Sequence, residues 1–297
     1  MKLQELAREA HELSAPYRIA DGKGFSLSSV DPADTGGGGK DRAAAALRRG
    51  VRRLAELQER LYAQDRWAVL LIFQAMDAAG KDRAIKHVMS GVNPQGCQVF
   101  SFKKPSAEEL DHDFLWRCAT RLPERGRIGI FNRSYYEETL IVRVHPEILE
   151  AQKLPRKLVT GRIWRERFED IRCYERYLAR NGVAICKFFL HVSKEEQKQR
   201  FLKRIGRPDK HWKFHAADVA ERAHWDDYQR AYEQTITNTA AAWAPWYVVP
   251  ADNKWFTRLV VAGAIIDLLW SLDLHFPRID NERRAEMAAA RKDLQNE

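Results

Sequence analysis

The sequence has few cysteines and no long apolar run. Its four cysteines are scattered, at Cys97, Cys118, Cys173 and Cys186, and none forms a CxxC pair. Neither a disulfide framework nor a cysteine-based zinc site is therefore expected. The most apolar late stretch, LVVAGAIIDLLWSL, is interrupted by Asp267 and is too short to span a bilayer, and the first residues lack the apolar core of a signal peptide. We predict a cytoplasmic protein that does not act at a membrane.

Acidic residues are outnumbered by basic ones. The chain contains 50 Lys and Arg against 41 Asp and Glu, a formal net charge of +9. This excess favours an anionic partner, such as a nucleotide, a nucleic acid, polyphosphate or a membrane surface, but charge alone does not choose among them. Because no nucleic-acid-binding motif is recognisable, we expect no nucleic-acid partner.

Short apolar runs of β-prone residues alternate with longer segments of helical character. This alternation is typical of a parallel sheet that is buried on both faces. We therefore predict an α/β fold in which five parallel strands are flanked by helices. The predicted strands cover residues 68–74, 97–102, 127–132, 184–190 and 246–249.

Polar segments follow four of these strands. They are AMDAAGKD, KKPS, RSYYEE and PADNKW. In open α/β sheets, ligands bind just beyond the carboxyl ends of the strands. The four segments should therefore meet at one edge of the sheet and form the binding site.

Three parts of the chain differ in composition. Residues 1–43 form a predicted N-terminal arm, rich in Gly, Ser, Asp and Pro from residue 15 onward. A predicted helix over 44–64 begins a domain that extends to residue 275, and residues 276–297 form a polar helical tail. The GGGGK stretch in the arm follows no hydrophobic strand, so we interpret it as a linker rather than a phosphate loop.

The segment after the first predicted strand partly matches a phosphate-binding loop. In the pattern GxxxxGK followed by Ser or Thr, backbone N–H groups hold phosphate oxygens and the Lys reaches the outer phosphates. Here Gly80 and Lys81 match, whereas Ala75 and Asp82 replace the first Gly and the hydroxyl residue. A plain strand-to-helix turn remains the alternative. The candidate phosphate-binding residues are Ala78, Ala79, Gly80, Asp82 and Arg83.

Asp77 is unexpected inside such a loop. It could be a surface carboxylate near a helix N-terminus, where the helix dipole is worth about 0.3–1 kcal/mol. It could instead bind Mg²⁺ or orient the attacking phosphate. A carboxylate and a phosphate about 4 Å apart repel by roughly 4 kcal/mol at an effective dielectric constant of about 20. If phosphate binds there, a metal ion is therefore expected as well.

Four segments together resemble the polyphosphate kinase 2 family over residues 45–272. They begin with LLIFQAMDAAGKDRAIKHVMSG and continue with GRIGIFNRSYYEETLIVRVHP, PDKHWKFHAADVAERAHWDDY and WAPWYVVPADNKW. That family consists of P-loop kinases, similar in fold to thymidylate kinase, that transfer phosphate between inorganic polyphosphate and nucleotides with Mg²⁺. The resemblance implies that Asp77, Lys81 and Asp82 handle metal and phosphate. An ATP-dependent nucleotide or small-metabolite kinase shares every feature read from the residues alone.

The motif IFNRSYYEE implies further roles by the same resemblance. Many family members carry Asp at the position of Asn132, and a neutral amide is a poor Mg²⁺ ligand. Asp77 or Glu137 is therefore expected to hold more of the metal. The motif is most similar to the subgroup that phosphorylates both AMP and ADP, reversibly, and Arg133 should contact phosphate as a third catalytic residue beside Asp77 and Lys81. From the residues alone, Arg133 is equally a phosphate ligand or a surface salt-bridge residue.

A basic run follows the fourth predicted strand. Residues 198–213 contain seven Lys or Arg against one acidic residue, Asp209. Such a run is usually a solvated helix face. Here Gly206 and Pro208 interrupt the helix, and the resemblance places a mobile lid over about 198–222. The lid residues expected to contact phosphate are Arg204, Arg207, Lys210 and Lys213.

Several other candidates are less distinctive. The pair His211 and His215 has the i, i+4 spacing of zinc ligands but lacks any supporting signature. An exposed apolar face on the 44–64 helix or near Trp270 would allow the homo-oligomer that the resemblance implies. Residues expected to contact the acceptor nucleotide are Lys103, Lys104, Arg117, Asn132 and Glu137, although the first three could equally be ordinary surface charges.

Overall fold

The predicted strands lie in one sheet. A computed structural model describes residues 3–297, apart from the side chains of Leu3 and Lys213. Within this range the strands are β1 (Arg18–Ile19), β2 (Ala68–Gln74), β3 (Cys97–Ser101), β4 (Ile128–Asn132), β5 (Val183–His191) and β6 (Trp246–Pro250). Their order in the sheet is β1-β6-β5-β2-β4-β3. Strands β2 to β6 are mutually parallel, and only β1 is antiparallel to its neighbour.

The predicted sheet of five parallel strands is confirmed, and β1 is an addition to it. β1 pairs Arg18 with Tyr247 and covers the free edge of β6. With only two residues it has no alternating pattern that a sequence could reveal. It lies in the segment whose composition indicated irregular structure.

The helices surround the sheet. They are α1 (Leu3–Ser14), α2 (Lys40–Gln64), α3 (Lys81–Val88), α4 (Ala107–Leu110), α5 (Trp116–Ala119), α6 (Ile141–Val144), α7 (Pro146–Glu150), α8 (Ile163–Arg180), α9 (Lys194–Ile205), α10 (Ala216–Ala220), α11 (Trp225–Thr239), α12 (Lys254–Ser271) and α13 (Asn281–Asn296). In this part of the chain no helix combines the length and apolar character needed to cross a bilayer.

The N-terminal segment packs more closely than its composition indicates. Residues Leu3–Ser14 form α1, which packs on α12 so tightly that a Cβ added to Gly263 would lie 2.9 Å from the carbonyl oxygen of Ala10. Helix α2 begins at Lys40, four residues before the predicted start. The predicted boundaries of the domain remain predictions.

The positions of the most buried strands in the sheet indicate where the binding site lies. Every residue of β2 and β5 is buried. β2 pairs with β4 on one side and β5 on the other, although β3 follows it in the chain. The chain therefore leaves the carboxyl end of β2 at the point where the strand order reverses, which is where open α/β sheets bind ligands.

A buried ion pair anchors the segment that follows β4. Nζ of Lys187 on β5 lies 2.6 Å from Oε2 of Glu175 on α8, and both side chains are fully buried. The hydroxyl groups of Tyr135 and Tyr136 donate to the other oxygen of Glu175, at 2.9 and 2.7 Å. These tyrosines begin the 3-10 helix Tyr135–Thr139. The pair thus holds this short helix, which carries Glu137, against the sheet.

A buried histidine at the end of β5 makes stability depend on pH. Burial lowers the pKa of His191 from its usual 6.5 to about 4, although Asp252 and Asp31 oppose the shift. The unfolded chain therefore binds this proton more tightly than the folded one. Stability should be unaffected above pH 6.5 and should fall as the pH drops toward 4, because the depressed pKa penalises protonation of the folded state.

We expect His191→Gln to remove this part of the acid sensitivity. At pH 4.5 the wild type should lose about 2–3 kcal/mol through His191, a loss that glutamine cannot show because it does not titrate. Urea unfolding at pH 7.5 and 4.5 measures the difference. His275→Gln, which changes an exposed histidine, is the control and should lose as much stability as the wild type. An equal loss in the His191 variant would refute the prediction.

Candidate active site

The loop after β2, which the sequence predicts to bind phosphate, turns sharply into α3. Gly80 precedes α3 with φ +105°, and Ala78 adopts φ +60°, a conformation that side chains other than glycine rarely take. Such strain is retained where surrounding contacts impose it. Nη1 of Arg200 on α9 donates to the carbonyl oxygens of Ala78, at 3.1 Å, and Ala79, at 2.6 Å. The same guanidinium donates through Nη2 to Ala251 and Asp252 after β6, so it ties two loops together.

Lys81 begins α3 and is almost completely buried. Its Nζ donates to the carbonyl oxygen of Ala75 at 3.0 Å. Burial lowers the pKa of Lys81, and the charge of Arg133 lowers it further, whereas Asp77, Glu137 and Asp82 oppose this effect. A buried ammonium group whose one partner among the described residues is a carbonyl oxygen is costly for the fold, which is the expected property of a group positioned for a ligand.

Asp77 and Arg133 form the centre of the site. Nη2 of Arg133 lies 3.1 Å from Oδ1 of Asp77, and both side chains are about one third exposed. Arg133 has φ +64°, and its backbone N–H donates to the carbonyl oxygen of Phe73. Burial alone would lower the pKa of Arg133, but the carboxylates of Glu137 and Asp77 raise it above its usual value. The predicted catalytic residues Asp77, Lys81 and Arg133 are thus brought together.

Carboxylates of like charge face the same space. Partial burial raises the pKa of Glu137, and Asp77 adds to this effect, although Arg133 and Lys81 oppose it. Burial also raises the pKa of Asp218, and the negative charge of Asp77 raises it further. This crowding fits a divalent cation, which would relieve the repulsion between carboxylates. No cluster of three or more His, Cys, Asp or Glu ligands is present between residues 3 and 297. Mg²⁺ typically takes only one or two carboxylates and completes its shell with water and phosphate.

Asp77, Arg133, Glu137 and Asp218 line one open cleft of about 530 Å³, whereas Lys81 is not among its lining residues. Its floor is the loop after β2, and one wall is the segment after β4. Side chains of α9 and of the residues that follow it form the opposite wall. The cleft is lined by Ala75, Met76, Asp77, Arg133, Glu137, Leu140, Ile141, Gln197, Asp218, Glu221, Arg222, Tyr228 and Tyr232.

The side chain of Asn132, the last residue of β4, forms hydrogen bonds with residues of other elements. Its Nδ2 donates to Oδ1 of Asp82 at 2.9 Å and lies 3.4 Å from Oγ of Ser101. The amide therefore connects the ends of β4 and β3 to the first turn of α3. Asp82 is thereby held toward the end of β4.

The residues that follow β3 lie at the same sheet edge. Lys103 and Lys104 are exposed. Arg117 donates to the carbonyl oxygen of Lys103 at 2.8 Å, lies 3.4 Å from Glu109, and stacks over the ring of Phe102 at 5.1 Å. These contacts give Arg117 a role in holding the loop. Whether Arg117 or the lysines contact a nucleotide stays a prediction.

The basic run after β5 is interrupted where the sequence predicts. Helix α9 ends at Ile205, and a 3-10 helix follows over Pro208–Lys213. Arg204 lies 3.4 Å from Asp218, and Asp209 is bound by both Arg207, at 2.9 Å, and Lys210, at 2.8 Å. The side chain of Lys213 lies outside the described residues. His211 contacts the carbonyl oxygen of Ile205 at 2.7 Å, and the closure of this segment as a lid stays a prediction.

Sequence reasoning missed Arg200 and Gln197. Gln197 donates to the carbonyl oxygen of Asp77 at 2.9 Å, and Arg200 holds the next two residues. Both lie within α9 on the face that also buries Phe201. Their spacing along the helix could therefore have indicated that they face the protein interior. Their partners are backbone carbonyls on a distant loop, which no sequence pattern identifies.

Comparisons with known proteins show the family and the fold. The family model described as "Polyphosphate kinase 2 (PPK2)" matches residues 38–274. The chain belongs to the polyphosphate kinase 2 family. A solved structure, the polyphosphate kinase 2 of Arthrobacter aurescens TC1, has a TM-score of 0.86 at 40% identity and covers 94% of this chain and 96% of its own. The predicted P-loop kinase fold is thereby confirmed.

Two named relatives are similar to this chain over nearly their whole length. The ADP-polyphosphate phosphotransferase of Rhodopseudomonas palustris is 52% identical over 283 residues, 94% of this chain and 97% of that protein. The AMP/ADP-polyphosphate phosphotransferase of Meiothermus ruber is 44% identical over 264 residues, 88% of this chain and 95% of that protein.

Proposed function

We propose that this polyphosphate kinase 2 transfers the terminal phosphoryl group of inorganic polyphosphate to ADP and to AMP, reversibly and with Mg²⁺. The observation that carries the proposal is the cleft lined by Asp77, Arg133 and Glu137 at the carboxyl edge of the sheet, with the buried ammonium group of Lys81 electrostatically coupled to these three residues. It is supported by relatives named for ADP and for AMP and ADP as acceptors.

The donor would bind on the loop after β2. The N–H groups of Lys81 and Asp82 at the start of α3 have no partner within the helix, and together with those of Ala78 and Gly80 they would hold phosphate oxygens. The N–H group of Ala79, between them, donates to the carbonyl oxygen of Met76 at 3.2 Å. Lys81 would neutralise the transferring group, and Asp82 and Arg83 flank it. An oxygen of the acceptor's terminal phosphate attacks the terminal phosphorus, and the bond to the bridging oxygen breaks. The donor leaves one unit shorter.

Arg133 would stabilise charge on the opposite side of the transferring group. Its guanidinium now pairs with Asp77 at 3.1 Å, so phosphate binding would replace a carboxylate partner by a phosphate one. Asp77 and Glu137 would hold Mg²⁺, which when bound neutralises phosphate charge and orients the donor. The raised pKa of Glu137, caused first by burial, supports a site that needs such a cation.

The acceptor nucleotide would enter the cleft beside Arg133. Lys103, Lys104 and Arg117 would contact it from the loop after β3, with Asn132 and Glu137 at the ends of the motif. We propose AMP as well as ADP because the IFNRSYYEE motif, with Asn132, is similar to the AMP- and ADP-phosphorylating subgroup.

The segment over about 198–222 would close over the bound phosphates. Arg204, Arg207 and Lys210 are all paired with carboxylates of the same segment, and closure would exchange these partners for phosphate. Lys213 is proposed for the same role from the sequence. A closed lid excludes water, so that transfer to the acceptor exceeds hydrolysis.

We further propose a cytoplasmic, homo-oligomeric enzyme. Exposed Tyr62 on α2 and Trp270 on α12 support an interface between copies of the chain. Light scattering after size exclusion tests the assembly.

The product profile tests the proposed function. With long-chain polyphosphate as the sole donor, AMP should yield ADP and then ATP, and ADP should yield ATP. A profile in which only ADP is used would restrict the acceptor to ADP. Transfer that requires ATP and ignores polyphosphate would instead support the ATP-dependent kinase.

A further inference from the structure

The loop after β2 begins with a tight turn whose conformation is unfavourable for alanine. The N–H group of Ala79 donates to the carbonyl oxygen of Met76 at 3.2 Å, which closes a turn of four residues. Its two central residues are Asp77, which has a negative φ, and Ala78, which has φ +60°. A positive φ at the third position alone is the pattern of a type II turn, which usually has Gly or Asn there. With alanine at this position, a type I turn would be preferred.

The two turn types differ in the direction of one peptide group. Conversion from type II to type I rotates the central peptide, between Asp77 and Ala78, by about half a turn. Because a trans peptide is planar, its carbonyl and N–H groups point in opposite directions, and the rotation exchanges them. Within residues 3–297 the N–H group of Ala78 has no hydrogen-bond acceptor, so it is available to a phosphate oxygen. In the rotated turn a carbonyl oxygen would replace it and would repel an anion.

Gln197 on α9 holds the carbonyl group of this peptide. Its side chain is buried, with 2% exposed, and Nε2 donates to the carbonyl oxygen of Asp77 at 2.9 Å. Oε1 accepts from Nη1 of Arg222 at 2.5 Å. A guanidinium group only donates and a carbonyl oxygen only accepts, so these two partners determine which end of the amide faces the turn. Arg222 is itself held, because it also donates to the carbonyl oxygen of Lys194 at 3.1 Å.

We propose that Gln197 is a positioning residue that selects the type II turn of the phosphate loop. The inference rests on the proposed function, because it concerns how this loop presents N–H groups to the donor. The hydrogen bond from Gln197 offsets the cost of the positive φ and keeps the N–H group of Ala78 directed toward the phosphate. Arg200 holds the carbonyl groups of the next two peptides, at Ala78 and Ala79, which leaves the central peptide to Gln197.

Binding of inorganic triphosphate, a minimal donor, tests the proposal. Gln197→Met keeps the approximate size of the side chain but cannot donate a hydrogen bond. Calorimetric titration should show that its affinity for triphosphate is lower by about tenfold, the loss that one ordinary hydrogen bond predicts. Gln199→Met, which changes an exposed glutamine on the same helix, is the control and should bind triphosphate as the wild type does. Unchanged affinity in Gln197→Met would overturn the proposal.

Glycine at residue 78 distinguishes a role in the turn from a general structural role. Glycine adopts a positive φ without a steric penalty, so adding Ala78→Gly to Gln197→Met should restore the affinity for triphosphate to within about threefold of the wild type. If Gln197 acted only through packing or through Arg222, glycine would restore nothing, and the proposal would be wrong. If Gln197→Met alone does not fold, the double variant should fold and bind triphosphate. Failure of both variants to fold would identify a structural role and refute the proposal.

The same measurements separate this proposal from the proposed function, since binding of triphosphate requires no phosphoryl transfer. Binding that Gln197→Met weakens and Ala78→Gly restores, in an enzyme that transfers nothing from polyphosphate, would retain the role of Gln197 and overturn the function. Normal triphosphate affinity in Gln197→Met, with a wild type that transfers from polyphosphate, would retain the function alone. A wild type that binds no triphosphate would overturn both.

Discussion

Replacing Lys81 with methionine should lower kcat/KM for phosphoryl transfer by at least about 10²–10³-fold, the range observed when one preorganised charge-stabilising group is removed. Lys81 begins α3 and lies at the point where the loop after β2 closes. Its ammonium group is buried and has only the carbonyl oxygen of Ala75 as a described hydrogen-bond partner. Methionine keeps most of the side-chain volume and removes the charge. Steady-state kinetics with polyphosphate and ADP measure the effect.

We expect Lys81→Met to lower activity without lowering the stability of the fold. Burial lowers the pKa of Lys81, which means that the folded state is penalised for keeping this charge. The methionine variant should therefore unfold at the same temperature as the wild type or higher. Lys23→Met, in an exposed turn, is the charge-matched control and should keep full activity. A folded Lys81 variant with normal turnover would remove this residue from the mechanism.

Replacing Lys187 with methionine should destabilise the protein by about 3–5 kcal/mol, because it leaves a buried carboxylate without its cation. Lys187 donates to Glu175 at 2.6 Å, to the hydroxyl group of Tyr136 at 2.9 Å and to the carbonyl oxygen of Thr239 at 2.9 Å. All of these partners are buried. Urea unfolding at neutral pH measures the loss.

A second substitution distinguishes two causes of this loss of stability, the unpaired buried charge of Glu175 and the loss of packing around residue 187. In the Lys187→Met background, Glu175→Gln removes the uncompensated charge and still offers an amide oxygen to Tyr135 and Tyr136. This double variant should recover about 1–2 kcal/mol. Arg8→Met, which breaks an exposed pair with Glu12 at 3.5 Å, should change stability by less than about 0.5 kcal/mol. If the double variant were no more stable than the single one, the loss would come from packing alone.

The parallel sheet could be predicted because its central strands are buried on both faces. β2 and β5 are continuous apolar runs, and the predicted bounds of β2 match the observed Ala68–Gln74. β1 could not be predicted, because its pairing with β6 depends on tertiary position rather than on a pattern in two residues. Helix α1 was included in the arm although it buries Ala7 and Ala10.

The centre of the candidate site could also be predicted, since strand ends in a parallel sheet meet at one edge. Asp77 follows β2 and Arg133 follows β4, two adjacent strands, and their side chains form an ion pair. The partners of each cation could not be predicted. Arg200 binds four carbonyl oxygens, and Arg117 binds its own loop, because such contacts depend on where distant backbone segments come to lie. The chemical roles of these residues stay predictions.

The position of Arg200 has a consequence for motion. It belongs to α9, yet it donates to backbone carbonyl oxygens of the loop after β2 and of the loop after β6. These bonds connect the first two turns of α9 to both loops. If the segment over about 198–222 closes as proposed, we expect it to pivot beyond Arg200, near Gly206 and Pro208. Because one guanidinium group holds both loops, we expect that shortening the Arg200 side chain would loosen both of them at once.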